Sequence, residues 1–382
     1  MQGGAVFLGA LLTLVLAVGC GSHRPPVGTT APLGEKLEWT LRDFREEFRI
    51  PALQLGVLKE GKVVFIGSCG VRSLKTEETI TDRSLFHLAS LSKPFTAIAV
   101  LQLAEQGKLK LEDRVVDHLP YFRLRDPRYV AITLRQLLAH TSGLPDLRDY
   151  KWDQPEWDEG SAERFVRSLE CLVLKSAPGE RFRYSNIGYD ILGEVIAKAS
   201  GQSFETWMKE NLFEPLEMTE STFLKAEVPQ ALAVSPHRKD VSTLYMQRMA
   251  SIYPYHRAHA PSSTLHSNAG EMLKFCQAML NDGSFQGKRI LSPESHSLSW
   301  SEHADQGLRD ELKAQWMGKV GLGWFLGSYK GHRMISFVGA DPGFRASMAL
   351  LPDKGIAVVC MGNSDAMRVG RLSRAVLDLT LE

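Results

Sequence analysis

The stretch FHLASLSKPFT, residues 86–96, determines how the rest of the chain is interpreted. Ser90 is followed three residues later by Lys93, and this is the only Ser-x-x-Lys in the sequence. Residues three apart share a helix face, so the hydroxyl and the amine can meet there. A serine activated by a neighbouring basic group can act as a nucleophile. Pro94 and the apolar residues that follow it, up to Gly107, predict that a helix begins at this motif.

Length and composition are those of an ordinary globular protein. The chain has 382 residues, 44% of them hydrophobic and 23% charged, with a formal net charge of +1. This length is enough for a large buried core. The near-zero net charge gives no electrostatic basis for nucleic acid as a partner. No apolar run after residue 25 approaches the length that spans a membrane.

The N-terminus predicts export. Residues 5–19 are almost wholly apolar and are followed by Cys20, as in a signal peptide. The segment LAVGC at 16–20 resembles a bacterial lipobox, which implies that Cys20 is lipidated; a plain signal peptide with an incidental cysteine is the alternative. The mature protein is then expected in the bacterial cell envelope, anchored to the membrane by lipid. The predicted divisions are a signal peptide over 1–20, a flexible tether over 21–35 and a folded domain over 36–382.

The other cysteines form no recognisable site. They are widely spaced, without a Cys-x-x-Cys pair, and so indicate neither a zinc site nor a disulfide framework. These are Cys69, Cys171, Cys276 and Cys360. His256 and His259 are three residues apart, but they lie in a proline-flanked stretch without a nearby carboxylate and are expected to face solvent. No metal site and no cofactor are predicted.

Strand patterns occur at both ends of the chain, and helical patterns lie between them. The fold class is therefore α+β: an antiparallel sheet built from both chain ends and flanked by helices, with a mostly helical region inserted over about 110–295. The expected strands are 52–58, 63–66, 322–328, 333–338, 344–351 and 356–361. The expected helices at the two ends are 37–48 and 365–379.

A second candidate motif is Tyr184-Ser185-Asn186, the only Tyr-x-Asn in the sequence. It lies directly before an amphipathic helical pattern that runs from Ile187 to Ser200. Residues at a loop-to-helix junction are well placed to point into a cleft. The alternative is structural, with a tyrosine that packs an interface and an asparagine that caps the helix.

Taken together, these segments resemble those of the penicillin-recognising serine hydrolases, which include class C β-lactamases, D-alanyl peptidases and related esterases. The resemblance covers about residues 36–380 and implies a β-lactamase/transpeptidase-like fold. It depends on the order and separation of five segments. They are SLSK at 90–93, LLAHTSGL at 137–144, YSNIGY at 184–189, FEPLEMT at 213–219 and GADPGF at 339–344.

The resemblance implies acyl transfer, with a small-molecule or peptidoglycan-like substrate. Ser90 would attack a carbonyl, Lys93 would help remove the serine proton, and Tyr184 would pass a proton to the leaving group or activate water. Asn186 would orient Lys93 and the substrate. The backbone N–H groups of Ser90 and Ala340 would form the oxyanion hole, and Gly339 would let substrate approach the strand closely.

One position departs from the family pattern. Its third motif is normally Lys-Thr-Gly or His-x-Gly, and the matching residues here are Phe337, Val338 and Gly339. Phe337 either packs within the strand or forms an apolar wall against the substrate. Because neither Phe337 nor Val338 supplies a charge or a hydroxyl donor, we expect weak β-lactam hydrolysis and a preference for an ester or amide. Arg345 is a candidate replacement for the missing anion contact.

Two functional hypotheses remain at this point. The first is a serine hydrolase with esterase or peptidase-type activity. The second is a penicillin-binding or cell-wall sensor module that acylates without turning over. The retained Ser90, Lys93, Tyr184 and Asn186 favour the enzyme, whereas the loss of the polar residue at 337 favours the sensor. His140 is expected to stabilise a turn rather than to act as a base.

Overall fold

The computed structural model describes residues 31–147, 149–240, 247–309, 311 and 316–382. The predicted signal peptide, Cys20 and most of the predicted tether lie outside these residues. The tether was expected to extend to residue 35, but the first helix already begins at Leu33, directly after Pro32. Pro32 favours a helix start at this point, because proline is compatible with a helix N-terminus.

A large antiparallel sheet forms the centre of the molecule. Its eight strands lie in the order β2-β1-β14-β13-β12-β11-β10-β9, and three two-stranded ribbons pair β3 with β6, β4 with β5 and β7 with β8. The strands are β1 (Ala52–Lys59), β2 (Lys62–Gly70), β3 (Phe86–His87), β4 (His237–Lys239), β5 (Gln247–Met249), β6 (His266–Ser267), β7 (Ser284–Phe285), β8 (Lys288–Arg289), β9 (Ala304–Asp305), β10 (Lys319–Val320), β11 (Phe325–Tyr329), β12 (His332–Asp341), β13 (Phe344–Leu351) and β14 (Ile356–Gly362).

Helices cover both faces of this sheet. In chain order the α-helices of the described residues are α1 (Leu33–Phe48), α2 (Ser92–Glu105), α3 (Val115–His118), α4 (Leu134–Leu138), α5 (Ser161–Ser168), α6 (Asn186–Ser200), α7 (Phe204–Met208), α8 (Ala260–Ser263), α9 (Ala269–Leu280), α10 (Pro293–Ser299) and α11 (Val369–Leu381). Helices α1 and α11 pack on one face around a core that includes Leu37, Leu55 and Val376. The other helices and the second face share the larger core.

The prediction of an α+β fold with a sheet built from both chain ends is confirmed. The N-terminal hairpin of β1 and β2 joins the C-terminal strands through the antiparallel pairing of β1 with β14. The hairpin turn at Glu60 and Gly61 has φ values of 53° and 71°, as a two-residue hairpin turn requires. This pairing closes one core from residues about 300 positions apart, so the fold cannot form from either end alone.

Two parts of the prediction need correction. The inserted region is mostly helical, as predicted, and also contains the short strands β4 to β8. The short edge strands β9 and β10 were not expected. The last helix begins at Val369, not at residue 365, because the Asp365 carboxylate instead accepts a hydrogen bond from the Gly343 N–H and pairs with Arg238. No helix in the described ranges is long and apolar enough to cross a membrane.

Helix α2 is the buried central helix of the structure. All its residues from Ser92 to Leu103 are buried, as expected for a helix that is apolar on every side. The Thr96 hydroxyl donates to the Pro261 carbonyl at 2.7 Å and so ties α2 to α8. Because α2 is fixed on all sides, the residues at its N-terminal end have little freedom to move.

Candidate active site

Ser90 lies in the turn that leads into α2, two residues before the helix begins at Ser92. It follows Ala89, whose φ of 51° is uncommon for a residue with a side chain. Strained backbone of this kind often occurs at functional sites. The Ser90 carbonyl accepts from the Lys93 N–H at 3.1 Å, which closes the turn. This turn leaves Ser90 partly exposed, at the edge of an otherwise buried segment.

The Lys93 amine is held by three oxygen atoms. Its Nζ lies 2.6 Å from Asn186 Oδ1 and 2.6 Å from the Ser262 carbonyl oxygen. The third contact, to Ser90 Oγ, measures 3.0 Å. Two of the oxygens are pure acceptors, so they fix two N–H bonds of the amine. When the amine is neutral, its lone pair is then directed towards the Ser90 hydroxyl.

Burial lowers the pKa of Lys93 from 10.5 to about 7. The side chain is fully buried, and removal from water disfavours the charged form of an amine. Three carboxylates oppose this shift, those of Asp190, Asp341 and Asp146. The shift is therefore due to desolvation, and no neighbouring cation is needed to explain it. At neutral pH a substantial fraction of Lys93 is able to accept a proton.

Asn186 is the first residue of α6, and its orientation is fixed by Asp146. The backbone N–H and the side-chain Nδ2 of Asn186 both donate to Asp146 Oδ1, at 2.9 and 3.0 Å. Nδ2 also donates to the Tyr150 hydroxyl. With both donors of the amide on this side, its oxygen must face Lys93. The helix itself is capped by Ser185, whose hydroxyl accepts from the Gly188 N–H.

Tyr184 completes the group around the serine. Its hydroxyl lies 2.9 Å from Ser90 Oγ. Desolvation raises the pKa of Tyr184 well above its usual value, so the phenol keeps its proton at neutral pH and acts as a donor. The ring of His140 lies under it, with 4.4 Å between ring centroids. Burial holds the pKa of His140 low, and its Nδ1 accepts from the Ser185 N–H, which matches the predicted supporting role.

The opposite side of the cleft is the end of β12. A Cβ atom added to Gly339 would lie 2.2 Å from the Leu88 carbonyl oxygen. Glycine is therefore needed at this position because the strand approaches the segment before Ser90 closely. This structural reason was not expected from the sequence, and the close approach of substrate to Gly339 stays a prediction. The close contact brings β12 next to the serine turn.

The backbone of Ala340 is placed to donate into the cleft. Asp341 and Phe344 flank the two-residue turn between β12 and β13, so in an antiparallel ladder they form the hydrogen-bonded pair. The next pair, Ala340 with Arg345, is then non-hydrogen-bonded, and the Ala340 N–H points away from β13. The neighbouring strand β11 pairs with β12 only as far as Ser336. The N–H of Ala340 therefore lies on an open strand edge.

Phe337 does not line the cleft. Its side chain is only 1% exposed, and its ring stacks on Phe325 with 4.8 Å between centroids. The expectation of an apolar wall against the substrate is thus corrected in favour of strand packing. Arg345 is also not in the cleft, because it lies opposite Ala340 and shares the other face of the sheet. Its guanidinium contacts the Asp341 carbonyl and the Asp365 carboxylate.

Known proteins resemble this chain in sequence and in fold. The sequence profile described as Beta-lactamase matches residues 37–381. The chain belongs to the Beta-lactamase family. Penicillin-binding protein 4 of Amycolatopsis lactamdurans is 29% identical over 323 residues, which are 84% of this chain and 82% of that protein. Protein flp of Staphylococcus aureus strain MW2 is 30% identical over 191 residues, which are 50% of this chain and 38% of that protein.

Solved structures share the fold of this chain. The octameric penicillin-binding protein homologue from Pyrococcus abyssi aligns with a TM-score of 0.76 and 25% identity, over 91% of this chain and 77% of that chain. A penicillin-binding protein from Bacillus halodurans aligns with a TM-score of 0.73 and 23% identity, over 89% and 98% of the two chains. The fold is therefore β-lactamase/transpeptidase-like, and the class is that of penicillin-recognising proteins.

Within this Beta-lactamase-family site, several contributing residues were not found from the sequence. Asp146, which orients Asn186, and the Ser262 carbonyl, which holds Lys93, have no spacing signal because they are distant in sequence. Asp341 Oδ2 contacts His87 Nε2 at 2.7 Å and also the Ser263 hydroxyl. The sequence suggested this residue only as part of the segment at 339–344.

The two histidines set aside in the sequence are buried, which corrects the expectation that they face solvent. His259 Nδ1 lies 2.8 Å from the buried Asp190 carboxylate, and His256 Nδ1 accepts from the Ala258 N–H. Across the residues that the structure describes, no group of three or more histidines, cysteines or acids could hold a metal ion. In the same ranges the cysteines at 69, 171, 276 and 360 are free.

Proposed function

We propose that this protein is a serine hydrolase that acts through an acyl-enzyme on Ser90. The observation that carries the proposal is the double contact at Ser90 Oγ, with the Lys93 amine at 3.0 Å and the Tyr184 hydroxyl at 2.9 Å. A proton acceptor and a proton donor thus meet at one hydroxyl, within the range where proton transfer occurs. A pKa of about 7 makes Lys93 an effective base at neutral pH.

In the first half of the reaction, Ser90 Oγ forms a bond to the carbonyl carbon of the substrate and gives its proton to Lys93. The carbonyl oxygen becomes an oxyanion, which the N–H groups of Ser90 and Ala340 stabilise. Tyr184 protonates the leaving oxygen or nitrogen as that bond breaks, and regains a proton from Lys93. This sequence leaves Ser90 acylated and the amine neutral again.

In the second half, water replaces the leaving group. The neutral Lys93 amine takes a proton from water as the water oxygen attacks the acyl carbon, and it gives that proton to Ser90 Oγ as the ester bond breaks. The products are a carboxylic acid and the free serine. Neither half needs a metal or an organic cofactor, because the chain itself supplies the base, the acid and the oxyanion donors.

The substrate proposed is an ester or amide rather than an efficiently cleaved β-lactam. The position at which the family carries a lysine or histidine is occupied by the buried Phe337. This side chain offers no charge or donor to a substrate carboxylate, and the only nearby arginine on the strand pair, Arg345, is directed to the other face. An ester without a carboxylate does not need these contacts, so its binding is not weakened by their absence.

A second candidate function is a binding or sensor module that acylates without turnover. It is favoured by the same change at Phe337 and by the similarity to proteins named penicillin-binding proteins. The cell envelope is the proposed location for either function. Anchoring by lipid at Cys20 remains a prediction from the sequence.

Labelling with a fluorophosphonate, combined with turnover assays, tests the proposal. We expect wild type to be labelled, Ser90→Ala not to be labelled, and a short-chain nitrophenyl ester to be turned over many times. Hydrolysis of a chromogenic cephalosporin should be slower than hydrolysis of the ester. Stoichiometric labelling without turnover would instead support the sensor, and rapid cephalosporin cleavage would refute the proposed preference.

A further inference from the structure

Asp341 occupies an unusual place for a carboxylate. It is the last residue of β12, one position after Ala340, and it points to the same face as Gly339 and the buried Phe337. Its side chain retains 11% exposure. Both of its side-chain contacts, from His87 Nε2 and from the Ser263 hydroxyl, are made to Oδ2. The other oxygen, Oδ1, has no side-chain partner among the described residues and is available to a ligand.

The neighbours of Asp341 fix it firmly. His87 is fully buried in the short strand that precedes the serine turn, and its second nitrogen, Nδ1, has no hydrogen-bond partner. Ser263 belongs to α8, next to the Ser262 carbonyl that holds Lys93. Asp341 accepts from both side chains, as an ionised carboxylate does. The charge is thus held at a fixed point beside the proposed oxyanion donor.

The positive charges near Asp341 do not neutralise its carboxylate. Arg345 contacts the main-chain carbonyl of Asp341 from the other face, but its guanidinium is paired with Asp365. Burial favours the neutral form of the Lys93 amine, so this lysine is a weak counter-charge for Asp341. Two more carboxylates, those of Asp146 and Asp190, act on the same amine. Asp341 thus adds to the negative charge that acts on the Lys93 amine beside Ser90.

We propose that Asp341 is a specificity-determining residue, which selects substrates that are neutral or cationic near the reacting carbonyl and rejects those that carry a carboxylate there. This inference rests on the proposed function and narrows its substrate class. Like charges held a few ångströms apart in a partly buried site repel strongly. The discrimination between a neutral and an anionic substrate of equal size is expected to be at least about tenfold.

Matched nitrophenyl esters test the inference. One series carries a methyl, a carboxylate or a trimethylammonium group at the end of the acyl chain, and a second carries the same groups on the alcohol side. The rate of Ser90 acylation is measured by stopped flow and intact-protein mass, and each rate is divided by the alkaline hydrolysis rate of the ester. In wild type we expect the normalised acylation rates of the neutral and cationic esters to exceed that of the anionic ester. The ratio of these rates should fall as the salt concentration is raised.

Variants then assign the effect to one carboxylate. Asp341→Asn should reduce the neutral-to-anionic ratio several-fold, and Asp341→Glu should largely retain it. Asp365→Asn, which removes a carboxylate near the same hairpin but on its other face, should leave the ratio unchanged. Selection in either ester series supports the proposal and identifies the side of the carbonyl that faces Asp341.

Three outcomes would count against it. Equal ratios in wild type and Asp341→Asn, with Ser90 still acylated, would overturn this inference and leave the proposed function intact. Absence of charge selection in wild type in both series would do the same without any variant, so the test does not depend on the folding of Asp341→Asn. Failure of every ester to acylate Ser90 would overturn the inference and the proposed function together.

Discussion

The two walls of the cleft differ in how closely they follow the family pattern. The helical wall, formed by the start of α2 and the start of α6, carries a chain of hydrogen-bond contacts that runs from Tyr184 through Ser90 and Lys93 to Asn186. The strand wall, formed by the end of β12, keeps Gly339 and Ala340 but has a buried Phe337. It also carries Asp341, whose carboxylate is held by His87. The comparison indicates that the groups proposed for bond making follow the family pattern, whereas the polar residue expected at position 337 is replaced by a buried aromatic ring.

A physical reason underlies this difference. The helical wall depends on a lysine that is buried without a counter-ion in contact, and its pKa depends on desolvation rather than on a cation at position 337. Replacement of the usual polar residue by Phe337 therefore does not remove the means by which Lys93 becomes a base. The strand wall can vary without loss of the proposed reaction, and substrate choice can vary with it.

The largest expected effect concerns the helical wall. Lys93→Met should lower kcat/KM for a nitrophenyl ester by about 10³-fold, because the proton acceptor of Ser90 is removed. Lys225→Met is the matched control, since Lys225 is another largely buried lysine with a lowered pKa. It lies over the ring of Tyr253 and makes no contact with Ser90. Equal losses in the two variants would show that the effect is structural.

The next prediction concerns the restoration of the family's usual lysine at position 337 of the strand wall. Phe337→Lys should lower the free energy of unfolding by about 3–5 kcal/mol, because it removes a stacked aromatic ring and buries a charge. Urea denaturation measures this loss. Val338→Lys, at a less buried position of the same strand, should cost much less. A stable Phe337→Lys variant with faster cephalosporin hydrolysis would show instead that position 337 is an open part of the cleft.

The role of Tyr184 has a smaller expected effect. Tyr184→Phe keeps the ring over His140 but removes the donor to Ser90 Oγ, and kcat/KM should fall by about 10²-fold. The loss should be greatest for esters with poor leaving groups, because these depend most on protonation as the bond breaks. A uniform loss across leaving groups would contradict the assigned role as the proton donor.

Much of the helical wall could be predicted from the sequence, because each of its two motifs is local. Ser90 and Lys93 share one helical turn, and Tyr184 and Asn186 flank one helix start. The contacts that orient them are not local. Asp146 reaches Asn186 from another loop, and His87 and Asp341 are separated by 254 positions. Their pairing depends on the sheet register and on α8, which composition and spacing do not define.

The strand wall also contains a residue that the sequence left open. Phe337 was expected either to pack within the strand or to face the substrate, and the sequence does not reveal that Phe325 covers the ring. The edge strands β9 and β10, with two residues each, were too short to give a pattern. In both cases the deciding information is the tertiary packing of neighbouring strands.

The smallest expected effect is on the pH dependence of kcat/KM, which depends on Lys93 of the helical wall and on Asp341 of the strand wall. Because Lys93 accepts a proton only when neutral, kcat/KM for a neutral ester should rise with pH through about 7 and then level off. The Asp341 carboxylate favours the protonated amine, so Asp341→Asn should move this rise to lower pH by less than about one unit. Lys225→Met should leave it in place. A rise centred near the usual lysine pKa would mean that Lys93 is not desolvated as described.

The most direct test of the account is to trap the intermediate. Wild type is mixed with an excess of a nitrophenyl ester, quenched in acid within the first turnovers, and examined by intact-protein mass and peptide mapping. We predict one added acyl group per chain, on Ser90, formed before steady-state release of acid and absent in Ser90→Ala. Hydrolysis without any acylated protein, or with the acyl group on another residue, would contradict the central claim.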